Sequence, residues 1–313
     1  MPLPEAFLSG LRAAFGDRFR RNEPLAAHTT SRLGGPAQVW LPVNSAAELA
    51  QAVLLARRQQ VPVFILGGGA NLLITEAGIR GLVIENRGGQ VQFPAAAAPG
   101  QAVTLTVESG VALPSLARRC ARRGLSGLEW AVGVPGTLGG AVVNNAGAYG
   151  SDMAASLVRA QLLSPDGETM WQPVSWFEYG YRTSRLKRGE RSRWAVLQAE
   201  LRLIAAPAAE VEARMNDFNE RRKASQPPGA TMGSMFKNPP GDYAGRLIEA
   251  AGLKGHQIGG AQISPVHANF FINLGGATAT DMLKLVETAQ KVVAEKFGVK
   301  LELEIEVAGE FYQ

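Results

Sequence analysis

The pattern of apolar and polar positions changes several times along the chain. Residues 45–60 begin with a capping-box pattern, Ser45 followed by Glu48, and continue with apolar side chains at helical spacing. A short apolar run follows at 61–66 and ends at three consecutive glycines, and another lies at 81–86. Helix, strand, glycine turn and strand predict an α/β opening.

The middle of the chain is richer in short apolar runs. Between residues 101 and 204, glycine-rich turns separate four runs that we interpret as β-like: "AVTLTVESG", "GAVVNNAG", "LVRAQLLSPDG" and "WAVLQAELRLI". One helix is predicted among them, "LPSLARRCARRG", in which Leu116 and Cys120 share a face. We expect Cys120 to be a small core residue. The pattern indicates a second, sheet-rich lobe.

The last third is mixed again. A proline-marked boundary precedes a predicted helix that ends at a Pro-Pro turn, Pro227-Pro228. The stretch "TDMLKLVETAQKVVAEKFG" predicts an amphipathic helix that ends at Gly298. Its apolar stripe comprises Met282, Val286, Ala289, Val293 and Phe297. The final "VKLELEIEVAGEF" predicts a strand with Leu301, Leu303, Ile305 and Val307 on one face and Glu302, Glu304 and Glu306 on the other.

Composition limits the class of protein. With 313 residues, 46% apolar and 19% charged, the chain reads as a soluble globular protein of two or three domains. No apolar run is long enough for a spanning helix, and the N-terminus lacks a secretory pattern, so we expect no membrane insertion and a cytoplasmic location. One cysteine and three histidines without ligand spacing predict neither a disulfide nor a metal site.

The net charge and the distribution of basic residues limit the class of ligand that the protein is expected to bind. The net charge is +5, and the basic residues stand in short scattered groups rather than in one block. This distribution favours small anionic ligands over nucleic acid. The charge does not indicate an oligomeric state.

Two glycine-rich segments are candidates for binding such ligands. In "ILGGGANLLI", residues 65–74, a strand runs into three glycines that would let backbone N–H groups approach an anion. The dinucleotide fingerprint is not met there, and a tight turn remains the alternative to a phosphate cradle. In "GVPGTLGGAVVNNAGAYG", residues 133–150, the glycine content favours a flat or anionic ligand against the backbone, with a glycine-rich turn scaffold as the alternative.

Other candidates are single side chains with ordinary alternatives. Arg182 in "YGYRTSRLK" could be a surface cation, and Ser234 in "GATMGSMFKNPPGD" a turn residue. His267 in "GAQISPVHANFFIN" could contact a ligand or lie in the core. The C-terminal glutamates are typical of a water-facing strand side.

Six segments of the chain, in their order along the sequence, resemble the motifs of one protein family. "LGGGANLLI", "PGTLGGAVVNNAGAYG", "YRTS", "GSMFKNP", "SPVHANFFIN" and "GVKLELEIEVAG" resemble the motifs of the bacterial UDP-N-acetylenolpyruvoylglucosamine reductases. The resemblance covers about residues 28 to 309. The short passage from "YRTS" to the third domain is similar to the compact second type of this family.

The resemblance implies an α/β and α+β fold. It comprises a two-subdomain FAD-binding fold of the vanillyl-alcohol-oxidase type and a C-terminal α+β substrate domain. The expected boundaries are an N-terminal segment 1–27, an FAD-binding domain 28–205 with subdomains at about 28–92 and 101–205, and a substrate-binding domain 206–313.

The resemblance also implies the cofactors. FAD is expected to bind without a covalent link, because no His or Cys stands in the expected turns, and NADPH is expected as the reductant. The residues implied to bind FAD are Gly67, Gly68, Gly69, Asn71, Leu72, Pro135, Gly136, Thr137, Gly139 and Gly140.

The implied reaction reduces the enolpyruvyl ether of UDP-N-acetylglucosamine enolpyruvate to UDP-N-acetylmuramate, for peptidoglycan synthesis. Hydride passes from NADPH through FAD N5 to the enolpyruvyl carbon, and a proton is added to the second carbon. By motif position, Arg182 is the cation at the substrate carboxylate, Glu304 assists from the other side, and Ser234 donates the proton. The implied substrate-binding residues are Lys237 and Asn238, with Tyr149, Gln262, His267 and Asn269 as weaker candidates.

The chain departs from the family pattern at three positions. Ala70 stands where serine is frequent, Met235 where an aromatic residue is frequent, and Glu306 where a basic residue is more usual. The departure at Glu306 leaves open which C-terminal glutamate faces the flavin. The alternative function is another FAD-dependent oxidase or dehydrogenase of the same flavin-binding fold.

Overall fold

A computed structural model gives the structure of the protein and describes residues 3–190 and 194–309. The α-helices are α1 (Glu5–Phe15), α2 (Ala46–Arg58), α3 (Leu113–Ala121), α4 (Leu138–Asn144), α5 (Met153–Ser156), α6 (Ala208–Ser225), α7 (Ala244–Ala250) and α8 (Ala279–Phe297). The N-terminal strands are β1 (Arg20–Pro24), β2 (Pro36–Val43), β3 (Val63–Leu66), β4 (Leu72–Ile74), β5 (Ile79–Asn86), β6 (Val91–Gln92) and β7 (Ala102–Glu108).

The remaining strands follow the same numbering. They are β8 (Leu125–Ser126), β9 (Gly147–Ala148), β10 (Ser151–Asp152), β11 (Leu157–Leu163), β12 (Thr169–Pro173), β13 (Ala195–Ala205), β14 (Ala230–Ser234), β15 (Gln257–Ile258), β16 (Ala261–Ile263), β17 (Phe270–Asn273) and β18 (Glu306–Ala308).

The chain divides into two compact units that are each discontinuous in sequence. The first comprises residues 1–20, 39–68 and 81–222, and the second comprises 21–38, 69–80 and 223–313. At one of the points where the chain crosses from the first unit to the second, between Gly68 and Gly69, the crossing lies inside the three-glycine turn. The domain boundaries implied by the resemblance remain a prediction.

The first unit contains two sheets with separate cores. In one, β2, β5 and β3 lie side by side, and β3 runs parallel to β5. Apolar residues of α1 and α2, such as Phe7 and Leu49, are buried in the core beside this sheet. In the other, the order is β12-β11-β13-β7-β6, and the pairs are antiparallel. Leu116 of α3 and Val142 of α4 are buried in its core.

The second unit is built on the antiparallel sheet β14-β17-β16-β15. Its core contains side chains of α7 and α8 together with Phe236 and Phe271. A separate parallel pair joins β18 to β4, with Glu306 opposite Leu72. The C-terminal strand therefore pairs with the strand that follows the three-glycine turn.

Several predicted elements are confirmed. Ser45 caps α2 and accepts a hydrogen bond from the Glu48 N–H at 3.1 Å. Gly298 ends α8 in the left-handed conformation. Cys120 is fully buried as expected, and burial raises the pKa of its thiol to about 12.

Two predicted patterns are wrong. The run "GAVVNNAG" was expected to be β-like, but its first residues belong to helix α4, which buries Ala141, Val142 and Val143. Packing of this face overrides the strand preference of the paired valines. Phe297, predicted on the apolar stripe of α8, is 39% exposed.

None of the helices in the described ranges is long and apolar enough to cross a membrane. Within those ranges, no cluster of three or more His, Cys, Asp or Glu side chains could hold a metal ion.

Candidate functional site

The two glycine-rich segments contact each other in the first unit. A Cβ atom added to Gly67 would lie 2.4 Å from Thr137 Oγ1, and one added to Gly68 would lie 2.8 Å from Gly136 Cα. Real Cβ atoms do not approach other atoms so closely, so only glycine permits this contact. The two glycine-rich turns therefore pack closely on each other, and we call them together the cradle, since backbone N–H groups of such turns can bind an anion.

A pair of buried polar residues supports the second turn. The Gly139 N–H donates to the Ser109 carbonyl oxygen at 2.8 Å, and a Cβ on Gly139 would lie 3.0 Å from Ser109 Cβ. Asn86 Nδ2 donates to Ser109 Oγ at 2.8 Å, with both residues buried. Gly139 therefore packs closely on Ser109, and its N–H already has a partner within the protein. Sequence reasoning missed Asn86 and Ser109, because single polar residues at strand ends carry no distinctive signal.

Two buried polar atoms flank the segment 133–140. Trp130 is 2% exposed, and its Nε1–H has no hydrogen-bond partner among the described residues. Asn144 donates from Nδ2 to the Gly140 carbonyl oxygen at 2.9 Å, while its buried Oδ1 has no partner in the described ranges. Buried polar groups of native proteins are nearly always bonded. An unsatisfied donor before this segment and an unsatisfied acceptor after it in sequence fit a polar cofactor such as FAD.

Arg182 lies in a tight turn of the first unit. Gly180 and Thr183 exchange backbone hydrogen bonds around it, and its own φ is 54°. Its Nη2 donates to the Gly147 carbonyl oxygen at 2.6 Å. A non-glycine residue in the left-handed region costs about 1–2 kcal/mol, and such strain concentrates at functional sites. The turn holds the guanidinium at the loop that carries Tyr149.

Tyr149 is also strained, with a φ of 53°. Its ring stacks on Phe218 of α6, with centroids 4.5 Å apart and planes 2° from parallel. Phe218 is a residue that sequence reasoning missed. The signal was present, because Val211, Met215 and Phe218 continue one stripe of α6 at helical spacing.

In the second unit, Gly69 completes the three-glycine turn with a φ of 59°. A Cβ there would lie 2.2 Å from the His28 carbonyl oxygen, so this position also requires glycine. Thr30 donates from its backbone N–H to the Gly69 oxygen at 3.1 Å and from Oγ1 to the Thr231 oxygen at 2.7 Å. Thr30 thus connects the turn to β14.

Asn71 connects the same turn to the C-terminal segment. Its Nδ2 donates to the Glu304 carbonyl oxygen at 3.1 Å, and its own carbonyl oxygen accepts from the Glu306 N–H at 2.9 Å. Leu72, the first residue of β4, is 7% exposed. The Asn71 amide, predicted to contact the cofactor, therefore already holds the backbone of a predicted catalytic residue.

Ser234 lies at the end of β14, directly after Gly233 with its φ of 81°. It pairs with Phe270 across an irregularity in the register. The following residue, Met235, donates to Asn269 and accepts from the Glu304 N–H at 2.9 Å. The backbone thus brings Ser234 and Glu304 onto adjoining segments of one unit.

The C-terminal glutamates differ from the predicted uniform strand face. Only Glu306–Ala308 forms a strand, while Glu304 and Ile305 lie in a bend, because the chain turns between its contacts to Met235 and Asn71. The Glu302 carboxylate forms an ion pair with Lys237 Nζ at 3.3 Å and is 71% exposed. The period-2 pattern was therefore wrong as a description of the glutamates.

Asn269 and His267 lie beside the Ser234 segment. Asn269 is 3% exposed, and its side chain bonds both the N–H and the carbonyl oxygen of Phe236, at 2.9 and 2.8 Å. This geometry suits a residue that positions the segment 234–237. Burial lowers the pKa of His267, and its Nδ1 accepts from the Asn269 N–H at 3.2 Å.

The remaining predicted residues have the following surroundings. Asn238 Oδ1 accepts from the Ala244 N–H at the start of α7, at 3.1 Å. Gln262 donates from Nε2 to the Gly255 carbonyl oxygen at 3.3 Å. Pro135 is exposed beside the cradle. The predicted catalytic set is thus divided, with Arg182 in the first unit and Ser234 and Glu304 in the second.

Comparison with protein families gives two matches. An FAD binding domain family matches residues 36–172, and the family of UDP-N-acetylenolpyruvoylglucosamine reductase C-terminal domains matches residues 225–308. These matches confirm the predicted fold class, a flavin-binding α/β part followed by an α+β part, and confirm FAD as the cofactor.

Whole-chain comparisons agree. The chain is 44% identical to UDP-N-acetylenolpyruvoylglucosamine reductase 2 of Symbiobacterium thermophilum, over 93% of this chain and 92% of the relative. It is 44% identical to the reductase of Chloroflexus aggregans, over 92% and 97%. The crystal structure of the reductase from Thermus caldophilus superposes with a TM-score of 0.76 at 37% identity, over 91% of this chain and 97% of that one. The chain therefore belongs to the family of the UDP-N-acetylenolpyruvoylglucosamine reductases.

Proposed function

We propose that this protein is an NADPH- and FAD-dependent oxidoreductase that reduces the enolpyruvyl ether of UDP-N-acetylglucosamine enolpyruvate to UDP-N-acetylmuramate. The family membership supports the reaction class. The observation that supports the site most directly is the connection from Ser234 through Met235 to Glu304, and from Glu304 to Asn71 of the glycine turn. These hydrogen bonds join the proposed proton donor and the proposed acid to the proposed cofactor-binding turn.

The proposed cofactor contacts lie in the cradle. Gly67 and Gly68 pack on Thr137 and Gly136, and backbone N–H groups of the two turns are the proposed donors to the pyrophosphate. When bound, FAD supplies the hydride-transfer chemistry between NADPH and the substrate. Gly69, Asn71, Leu72, Pro135, Gly139 and Gly140 complete the proposed set.

Arg182 is the proposed cation at the substrate carboxylate. Hydride addition to an enolpyruvyl group builds negative charge that spreads into the carboxylate as an enolate. A guanidinium fixed in advance stabilises that charge without reorganisation. The hydrogen bond from Arg182 to Gly147 and the strained turn around it favour such a fixed position.

Glu304 and Ser234 are the proposed acid and proton donor. Ser234 follows Gly233 at the end of a strand. The backbone N–H of the next residue, Met235, donates to Asn269, and its carbonyl oxygen accepts from Glu304. A hydroxyl held in this way can deliver a proton to a carbanion-like carbon although it is a weak acid in water. Glu304 is held at its N–H by Met235 and at its carbonyl oxygen by Asn71.

Lys237 and Asn238 are the proposed contacts of the substrate diphosphate, and Tyr149, Gln262, His267 and Asn269 are further candidates. The Lys237–Glu302 ion pair is partly exposed, so a diphosphate could take the place of the carboxylate. The low cysteine content is in keeping with the proposed cytoplasmic location, which cell fractionation would test.

Anaerobic stopped-flow kinetics on purified, flavin-loaded protein test the function. NADPH should bleach the flavin absorbance, and the enolpyruvyl UDP-sugar should restore it with release of UDP-N-acetylmuramate. Restoration by oxygen alone, with no effect of the UDP-sugar, would instead identify an oxidase of the same fold.

A further inference from the structure

One stripe of helix α6 carries an arginine where an apolar residue would continue the pattern. Val211, Met215, Phe218 and Arg222 recur at helical spacing on this stripe. Val211 and Met215 are buried against Ala121 and Val132, and Phe218 is partly buried against the same cluster. Arg222 therefore extends from the packed side of α6, whereas its neighbour Arg221 is exposed and pairs with Asp217.

The stem of Arg222 lies on the backbone of Gly133. A Cβ added to Gly133 would lie 2.2 Å from Arg222 Cδ and 2.9 Å from its Nε. Gly133 begins the segment 133–140 that forms one side of the cofactor cradle. The absence of a side chain at Gly133 thus leaves the space that this arginine occupies.

Arg222 also belongs to the surroundings of Arg182. One helical turn before it, Phe218 stacks on Tyr149, and Arg182 donates to Gly147 of the same loop. Burial lowers the pKa of Arg222, the nearby Tyr149 hydroxyl raises it, and the positive charge of Arg182 lowers it. The positive charges of Arg182 and Arg222 repel each other here, and a shared anion would offset that repulsion.

We propose that Arg222 is a second cation of the substrate site, which binds the enolpyruvyl carboxylate together with Arg182. This inference rests on the proposed function. Charge-assisted hydrogen bonds from two guanidiniums can hold both oxygens of a carboxylate. As the enolate forms, the added negative charge falls between two fixed cations, so the pair lowers the barrier of the substrate half-reaction.

The proposed ligand is the carboxylate and not the diphosphate. Arg222 lies against Gly133 of the cradle segment and in the electrostatic field of Arg182, the proposed contact of the carboxylate. The proposed diphosphate contacts, Lys237 and Asn238, belong to the other unit.

Binding of two UDP-sugars tests this assignment. UDP-N-acetylmuramate carries the carboxylate, and UDP-N-acetylglucosamine lacks it. We compare Arg222→Gln with the matched control Arg221→Gln, using the change in flavin absorbance on titration. Arg222→Gln should bind UDP-N-acetylmuramate roughly 10- to 100-fold more weakly, the range for loss of a charged hydrogen bond, and should bind UDP-N-acetylglucosamine as the wild type does. Arg221→Gln should change neither affinity.

Kinetics supply an independent measurement. In Arg222→Gln, flavin reduction by NADPH should stay within a few-fold of wild type, while reoxidation by the enolpyruvyl UDP-sugar should slow. Arg222→Lys keeps a charge without the two-pronged geometry, so its loss should be intermediate. It also serves as the test protein if Arg222→Gln does not fold.

The possible outcomes separate this inference from the proposed function. Equal weakening for both UDP-sugars, or no weakening for either, would overturn the assignment of Arg222. A wild-type protein whose reduced flavin does not react with the enolpyruvyl UDP-sugar would overturn the proposed function itself.

Discussion

Asn71 donates a hydrogen bond from its side-chain amide to the carbonyl oxygen of Glu304, at 3.1 Å. One residue belongs to the glycine turn proposed to hold the cofactor, and the other is the proposed catalytic acid. The bond fixes the bend in which Glu304 lies, because the Glu306 N–H closes a second bond to the Asn71 carbonyl oxygen.

Removal of the Asn71 side-chain amide should leave the backbone of Glu304 less firmly positioned. Asn71→Ala loses one hydrogen bond, whose net contribution of about 0.5–1.5 kcal/mol corresponds to a roughly 2- to 10-fold slower substrate half-reaction. Flavin reduction by NADPH should change less. Stopped-flow traces of both half-reactions check this, and a variant with an unchanged substrate half-reaction would show that Asn71 does not position Glu304.

Ser234→Ala should change the rates of the two half-reactions more unequally than Asn71→Ala does. Without the proposed proton donor, reoxidation of the flavin by the enolpyruvyl UDP-sugar should slow roughly 10²- to 10⁴-fold. Reduction by NADPH should remain near the wild-type rate. If both half-reactions fell by the same factor, the serine would not be the donor.

The two glutamates before the C-terminal strand offer a matched comparison. Glu304→Gln should impair the substrate half-reaction as Ser234→Ala does. Glu302→Gln should leave the chemical step intact, because the Glu302 carboxylate pairs with Lys237 at an exposed position. The reverse result would move the catalytic assignment to Glu302.

The cradle should not tolerate a methyl group. Gly68→Ala puts a Cβ 2.8 Å from Gly136 Cα, so one of the two backbones must shift. We expect purified protein with reduced flavin content and weaker FAD binding, measured by flavin fluorescence. Gly89→Ala is the control, since its Cβ would meet only the Arg87 carbonyl oxygen at an ordinary 3.6 Å. Full flavin content in Gly68→Ala would contradict the proposed cradle.

The pH dependence of stability should reflect His267. Burial lowers its pKa in the folded protein, whereas the unfolded chain takes up the proton near the ordinary value of about 6.5. The unfolded state then binds more protons, so stability falls as the pH drops below that value. The thermal midpoint of His267→Gln should fall less between pH 7 and 5 than that of wild type. His256→Gln, at an exposed position, should follow wild type; equal slopes for all three would contradict this reading.

The sequence predicted well those elements that local chemistry determines. The cap of α2 follows from Ser45 and Glu48, which are three residues apart, and the end of α8 follows from the left-handed conformation that Gly298 adopts. The glycine segments could be recognised as ligand-binding candidates, because glycine at such density has few structural uses. Their mutual contact could not, since it joins residues distant in sequence.

The errors and omissions arise from tertiary packing. The valines of α4 prefer strands in isolation, but their burial in the core selects a helix. The alternating C-terminal pattern contains a bend, because Met235 and Asn71 bond the backbone on either side of Glu304. The helical spacing of Phe218 and Arg222 on one stripe of α6 is visible in the sequence. Only the structure shows that this stripe contacts Tyr149 and Gly133.

The pairing of β18 with β4 also sets an order of events during synthesis. Leu72 leaves the ribosome well before its partner Glu306 is made, because the two residues are far apart in sequence. Contacts so distant in sequence form late in folding. The glycine turn therefore acquires its bond from Asn71 to Glu304 only after the segment that carries Glu304 has been made. A chain truncated before Glu304 lacks this support of the turn, so its cofactor retention reports how much the segment 304–308 contributes to holding the turn.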